Sequence, residues 1–361
     1  MARPDSLSPV RATLQDIARL AGVSAKTVSR VVNGESGVSA AKRAEIQALV
    51  DKTEFRINRA AQALKSKASS SVLLLSGRIN SLYSLQIISG IIGSQAAAEF
   101  NLIIDEVDPS DAAARATIVS RAVQAQVGAV IMLPTICDNA ELIADLTRLG
   151  MQLVRVSPMT QLDTGTVIDM RDADGAAAAA AHLHALGHRR ITVLEGMSDH
   201  AASRRRSVGF VAGWLDAGGD TSQIHIVKFR DLTDDTLSTL NGHPSTAERF
   251  VEIGMAAAPG LLTGRDPPTA IFCFNDTLAL GLLWGAQSLG LTVPGDLSLV
   301  GFDGNLAASL VRPKLTTIAA PLRAIGEACL SALTTPSEKP QLLDVSLVMG
   351  MTTAAPNPKT S

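Results

Sequence analysis

Two periodicities divide this chain. Near its start, apolar residues fall three and four positions apart at Leu14, Ile17, Ala18 and Ala21, the spacing of one helix face. Thr13 is placed to cap that helix, Gly22 gives the freedom a tight turn needs, and Ser24 caps a second helix with Val28 and Val31 inward. A third helix is expected after Ser39, with Ala41, Ile46, Leu49 and Val50 facing a small core that Phe55 completes. Beyond Ser70 the pattern becomes short apolar runs separated by helical stretches: 72–76, 101–105, 128–133, 152–156, 191–194 and 269–274. Such alternation predicts an α/β architecture of parallel sheets covered on both faces by helices, and its length and repetition predict two lobes.

With 361 residues, 46% hydrophobic and 18% charged, the chain has the balance of ordinary globular domains. Arg78, Asn80 and Gln86 interrupt its most apolar early stretch, 71–93, which therefore reads as a buried strand and a helix and not as a membrane span. Residues 1–10 lack the apolar centre of a secretion signal, so a cytoplasmic protein is expected. The three cysteines, Cys137, Cys273 and Cys329, form no Cys-x-x-Cys pair and are expected to be reduced core residues. Net charge is only −2, but its distribution is uneven: up to Ala68 there are twelve Lys or Arg against six Asp or Glu, which leaves the remainder acidic. A basic head on an acidic body raises the prospect of a nucleic-acid partner.

The spacing of Ala18, Gly22 and Val28 fits a helix-turn-helix, with a small residue at the helix crossing, a turn residue and a core plug. The polar face of the second helix carries Lys26, Thr27, Ser29 and Arg30, which separates it from an ordinary αα-hairpin. The segment 58–67, from Asn58 to Lys67, is short, basic and thinly apolar, so as a lone helix in water it would be marginal. Leu64 beside Lys65 suits a wedge between bases in a minor groove, with the cation near phosphate.

Together, residues 13–67 resemble the head and hinge helix of the LacI/GalR family of regulators. The resemblance implies base reading by Ala25, Lys26 and Arg30, phosphate contacts near Thr13, Thr27, Ser29, Asn33 and Ser39, and a hinge helix opened by Asn58 whose Leu64 enters the central step. The chain departs from the family at Ile57, where proline is usual, and at Ala25, where a larger base-reading residue is often found.

In the body, polar residues follow the apolar runs, where ligands of open α/β sheets bind. Arg78 and Tyr83 follow the first run, Ser157 the fourth, Asn275 and Asp276 follow Phe274, and Asp303 follows 299–302. Converging Asn, Asp and Arg side chains suit a polyhydroxylated ligand, although each alone could be a helix cap or turn residue. The resemblance extends through 186–191, 206–210, 274–276, 300–303 and 315–318. It implies a two-lobed, periplasmic-binding-protein-like (type I) domain in which Arg206, Asn275 and Asp303 contact a small effector, with Arg78, Tyr83 and Ser157 lining the first lobe. Ala320 stands where a polar residue often precedes the proline, and Arg78 is unusual; it would suit an anionic group on the ligand or a surface ion pair.

No nucleophile–base set, phosphate loop or metal-ligand spacing is present, and His182, His184 and His188 are expected to be surface and cap residues. No cofactor and no metal are expected, and an enzyme ranks below every regulatory reading. The expected organisation is a DNA-binding head over 1–57, a hinge helix and linker over 58–70, and an effector-binding and dimerisation domain over 71–361. The expected protein is a homodimer on palindromic operator DNA, answering to a sugar or sugar derivative; the family implies a repressor released by its ligand. Two alternatives stay open: a regulator of the same build whose body binds a protein co-regulator or has lost its small ligand, and a transporter's solute-binding protein. The tail from Pro336 has no leucine heptads, and its apolar run 342–348 is expected to end as a strand or a packed extension.

Overall fold

The computed structural model describes residues 14–32, 36–53, 70–77, 81–107, 113–160, 162–197, 200–232, 247–337 and 339–358. The chain divides into two compact units, Met1–Ser69 and Ser70–Ser361.

In the first unit, helices α1 (Leu14–Leu20), α2 (Ala25–Val32) and α3 (Ala40–Lys52) close over Ile17, Ala18, Ala21, Val28, Val31, Ile46 and Val50. Gly22 makes the turn between α1 and α2 at φ +61°, a left-handed conformation that a side chain would strain. Ser24 Oγ accepts the Thr27 N–H at 3.1 Å and lies 2.9 Å from Thr27 Oγ1, so it caps the first turn of α2. Ala41, expected inward, is exposed. Ile46 and Val50, four residues apart, orient α3 instead, and Ala41 does not share their face. Phe55 lies outside the described residues.

The second unit holds two six-stranded sheets. The first runs β11-β5-β4-β3-β1-β2, from β1 (Ser71–Ser76), β2 (Asn101–Glu106), β3 (Val127–Met132), β4 (Gln152–Val156), β5 (Thr166–Met170) and β11 (Gln341–Leu343). All of its pairings are parallel. The second runs β12-β10-β9-β8-β6-β7, from β6 (Ile191–Leu194), β7 (Ile224–Val227), β8 (Ala270–Cys273), β9 (Ser298–Asp303), β10 (Thr316–Ala319) and β12 (Ser346–Val348). Only the edge strand β12 is antiparallel. The central strands are buried almost throughout, as helices on both faces require, and this is why they read as unbroken apolar runs.

Helices pack closely where glycines allow it. In the first lobe, a Cβ on Gly90 would fall on the backbone of Arg323, and one on Gly326 on the backbone of Ile87. The helices Leu82–Gly93 and Leu322–Thr334 can therefore touch backbone to backbone. Gly254 and Gly281 play the same part for Ala247–Leu262 and Asp276–Ser288 in the second lobe. The alanine run 176–181 lies on the helix Asp172–Ala185, which packs Ala173 and Ala177 against Gly209 and Gly213 of the helix Ala201–Asp216 as well as against its sheet.

The chain passes between lobes three times: after β5, between β10 and the helix Leu322–Thr334, and between β11 and β12. The apolar run 342–348 thus becomes two short strands on different sheets, parted at Asp344 and Val345. His188 differs from expectation. It is buried, with Nδ1 2.9 Å from Thr269 Oγ1 and Nε2 3.1 Å from Ser298 Oγ and 2.9 Å from the Ala354 carbonyl. It ties the C-terminal segment to β8 and β9, a role that only residues far apart in sequence could assign. Cys137, Cys273 and Cys329 are all buried and in no disulfide. No described helix is long and apolar enough to cross a membrane.

Candidate functional site: a cleft between two sheets

A cavity of about 130 Å³ opens between the lobes of the second unit. One wall comes from the C-terminal strand ends of the first sheet: Ser76 at the end of β1, Thr135 after β3 and Ser157 after β4, with Tyr83 from the first turn of Leu82–Gly93. The opposite wall holds Phe274, Asn275 and Asp303 from the equivalent ends of the second sheet, with Arg206 from the helix Ala201–Asp216. Met170, Met197, His200 and Phe250 complete the lining. Five of the six effector residues expected from the sequence meet here; the sixth, Arg78, lies outside the described residues.

The strand ends are shaped for this purpose. Four described non-glycine residues have positive φ: Gln126 (φ +50°), Thr135 (φ +74°), Ser157 (φ +48°) and Asp303 (φ +101°), and the last three line the cleft. Such conformations cost on the order of 1–3 kcal/mol each and persist where surrounding structure holds them, often at binding sites. Asn275 is both lining and helix cap, since its Oδ1 accepts the Leu278 N–H at 2.8 Å.

Arg206 is the electrostatic centre. Its Nε donates to Asp172 Oδ1 at 2.9 Å, its Nη1 to the Phe274 carbonyl at 2.7 Å, and its Nη2 lies 3.2 Å from Asp303 Oδ1. The guanidinium carbon sits 3.6 Å from the Phe302 ring centre and 5.0 Å from that of Phe274, so aromatic faces sandwich the charge. Burial opposes that charge, but Asp172 and Asp303 more than offset it and hold the guanidinium above its ordinary pKa. Burial pushes the Asp303 carboxyl up to about 6, against the pull of Arg206. Burial likewise raises the Tyr83 phenol, which stays a neutral donor. Two buried hydroxyls, Tyr83 Oη and Ser157 Oγ, make no hydrogen bond among the described residues, and Asp303 Oδ1 has only its ion pair with Arg206. Buried polar atoms are nearly always satisfied, and these three all border one cavity.

In the head, Lys26 is exposed on α2, with Ala25, Thr27, Ser29 and Arg30 half-buried along the same helix. Ala25 also packs against the small core. Ser39 caps α3, its Oγ accepting the Lys42 N–H at 3.4 Å. Thr13, Asn33, Asn58, Leu64 and Lys65 lie outside the described residues.

Residues 13–58 match the family described as bacterial regulatory proteins, lacI family, and residues 180–341 match the periplasmic binding protein-like domain. The lactose operon repressor of Escherichia coli (strain K12) is 32% identical over 360 residues, covering 97% of this chain and 92% of that protein. The chain belongs to the lacI family.

Other relatives of this lacI-family chain are regulators too. Catabolite control protein A of Priestia megaterium is 27% identical over 337 residues, covering 93% of this chain and 95% of that protein. A crystal structure of the lac repressor dimer bound to operator and the anti-inducer ONPF superposes with a TM-score of 0.73 at 27% identity, covering 95% of this chain and 99% of that one. This lacI-family chain is therefore a bacterial regulatory protein with a DNA-binding head and a periplasmic binding protein-like domain, and the relatives named here are regulators and not enzymes.

Sequence reasoning missed several lining residues of this regulator. Ser76 ends β1 and Thr135 follows β3, and the rule that selected Ser157 would have found them. Phe250 and His200 reach the cleft from elements with no local signal. Asp172 was missed as well; in sequence it resembles an acidic residue in the first turn of a helix, yet it is buried and holds Arg206.

Proposed function

We propose that the chain is a homodimeric repressor whose operator affinity is set by a neutral, sugar-like effector held between the two lobes. One observation carries this reading: two buried hydroxyls without hydrogen bonds among the described residues, Tyr83 Oη and Ser157 Oγ, border a single cleft together with the Asp303 carboxylate. A ring bearing adjacent hydroxyls can accept from Tyr83 and Ser157 while donating to Asp303. Phe250, Phe274, Met170 and Met197 offer it an apolar face. The one arginine among the described lining residues is already balanced by two carboxylates, which disfavours an anionic effector.

In this reading residues 1–57 form the DNA-binding head, 58–70 the hinge helix and 71–361 the effector and dimerisation domain. Ala25, Lys26 and Arg30 read bases of a palindromic operator, Thr13, Thr27, Ser29, Asn33 and Ser39 lie near phosphates, and the hinge from Asn58 inserts Leu64 beside Lys65. An effector that prefers one arrangement of the lobes shifts the population and with it operator binding. The experiment is fluorescence anisotropy on genomic fragments, with and without a panel of neutral sugars, sugar acids and nucleosides. Specific binding altered by a neutral sugar is expected. Binding unaffected by every sugar but altered by an anion would overturn the effector assignment.

A further inference from the structure

Arg206 faces the cleft, but its neighbour Arg205 does not share its contacts. Consecutive residues of a helix point about 100° apart, so two guanidinium groups leave the same turn of Ala201–Asp216 toward different partners. Arg205 Nη2 meets Asp169 Oδ1 at 3.1 Å and Asp172 Oδ2 at 2.9 Å; its Nε meets Asp172 Oδ2 at 3.1 Å, and its Nη1 the Pro158 carbonyl at 3.5 Å. Asp169 belongs to β5 and Pro158 follows β4, so both are parts of the first lobe. Arg205 rides on a helix of the second lobe. It is therefore a tie across the cleft, placed beside the first crossing of the chain.

Asp172 joins this tie to the binding site. Its carboxylate is buried and divides its oxygens, Oδ1 to Arg206 and Oδ2 to Arg205. The contacts of Arg206 with Asp172, Phe274 and Asp303 stay within the second lobe, so opening the lobes need not disturb them. An opening that drew the helix Ala201–Asp216 away from the ends of β4 and β5 would part Arg205 from Asp169 and Pro158. The two arginines thus share one carboxylate, Arg206 facing the cleft and Arg205 reaching the first lobe.

We propose that Arg205 is a positioning residue that clamps the two lobes closed, and that Asp172 couples this clamp to the effector-facing Arg206. Its regulatory consequence rests on the proposed effector site, but the clamp is defined by the protein alone and is tested without DNA or sugar.

The test measures the distance between spin labels on full-length protein carrying Ala144→Cys in the first lobe and Ala212→Cys in the second, both exposed helix positions. The three native cysteines are buried and escape labelling. Doubly labelled chain is diluted into an excess of unlabelled chain, so that distances report on one protomer. Arg205→Ala is expected to move the distribution to longer and broader distances, and Arg205→Lys to restore most of the parent distribution. Asp169→Asn approaches the same tie from the first lobe and should reproduce the shift, and the double variant should shift no further, because one interaction cannot be removed twice. A distribution unchanged by Arg205→Ala, or shifts that add in the double variant, would overturn the clamp. A purely structural arginine would lower the melting temperature and leave the distance alone. Should Arg205→Ala fail to fold, Asp169→Asn decides by the same criterion. Failure to find an operator or a responsive sugar would count against the proposed function and leave this result standing.

Discussion

Tyr83 presents a buried hydroxyl with no hydrogen bond among the described residues, and that sets its energetics apart from those of an ordinary buried tyrosine. Removing a buried hydroxyl that bonds nothing should not weaken the empty protein, whereas removing one that bonds a ligand costs ~1 kcal/mol of affinity. Tyr83→Phe is therefore expected to keep or raise the melting temperature of the free protein while weakening the bound sugar about fivefold, read by calorimetry. Asp303 adds a pH signature. Its folded pKa, about 6, lies above the ordinary carboxylate range, so the folded chain holds more proton than the unfolded one between those values. Its contribution to stability is present below the ordinary value and lost as pH rises through about 6. Melting curves across that window should fall less steeply for Asp303→Asn than for the parent. Sugar affinity should rise over the same window in the parent, as the carboxylate becomes the stronger acceptor, and stay flat in the variant. At this scale the sequence disclosed residue types at strand ends, such as Ser157 and Asn275. It did not disclose that Asp172 and His188 are buried hubs, because their side-chain partners lie at least 33 and 81 positions away, respectively.

Helices and strands were legible wherever local pattern and burial coincide. β1, β3 and β8 are covered on both faces, so their runs are apolar throughout, and α1 and α2 carry the turn glycine and the Ser24 cap in sequence. The contact of Leu82–Gly93 with Leu322–Thr334 was not legible, since neither Gly90 nor Gly326 signals in its own window that another backbone lies against it. Gly326→Ala should destabilise the body by ~1–3 kcal/mol through overpacking, checked by denaturant titration; an unchanged midpoint would mean the helices can part freely. In the head, Arg30→Ala should cost ~1–3 kcal/mol of specific operator affinity and relax preference at one base pair of each half-site, with α2 still folded. Equal loss on every sequence would assign Arg30 to phosphate contact instead.

Across the whole molecule, the two sheets are joined by three passages of chain, and the cleft lies where their C-terminal strand ends face one another. Such a body can change the separation of its lobes with little cost inside either core. If that change links effector to operator, coupling must be reciprocal. The factor by which a sugar changes operator affinity should equal the factor by which operator DNA changes affinity for that sugar, measured by anisotropy and calorimetry on one preparation. Unequal factors at equilibrium would exclude a simple two-state coupling.

The order of helices and strands, the helix-turn-helix spacing and the polar residues after each strand were written in the sequence, because they depend on neighbours within a few positions. The division of 342–348 between two sheets, the sharing of Asp172 by two arginines and the gathering of unsatisfied polar atoms at one cleft were settled only by tertiary structure. Those features arise from contacts between distant segments, and a local pattern records which residue stands at a position without recording what is brought against it.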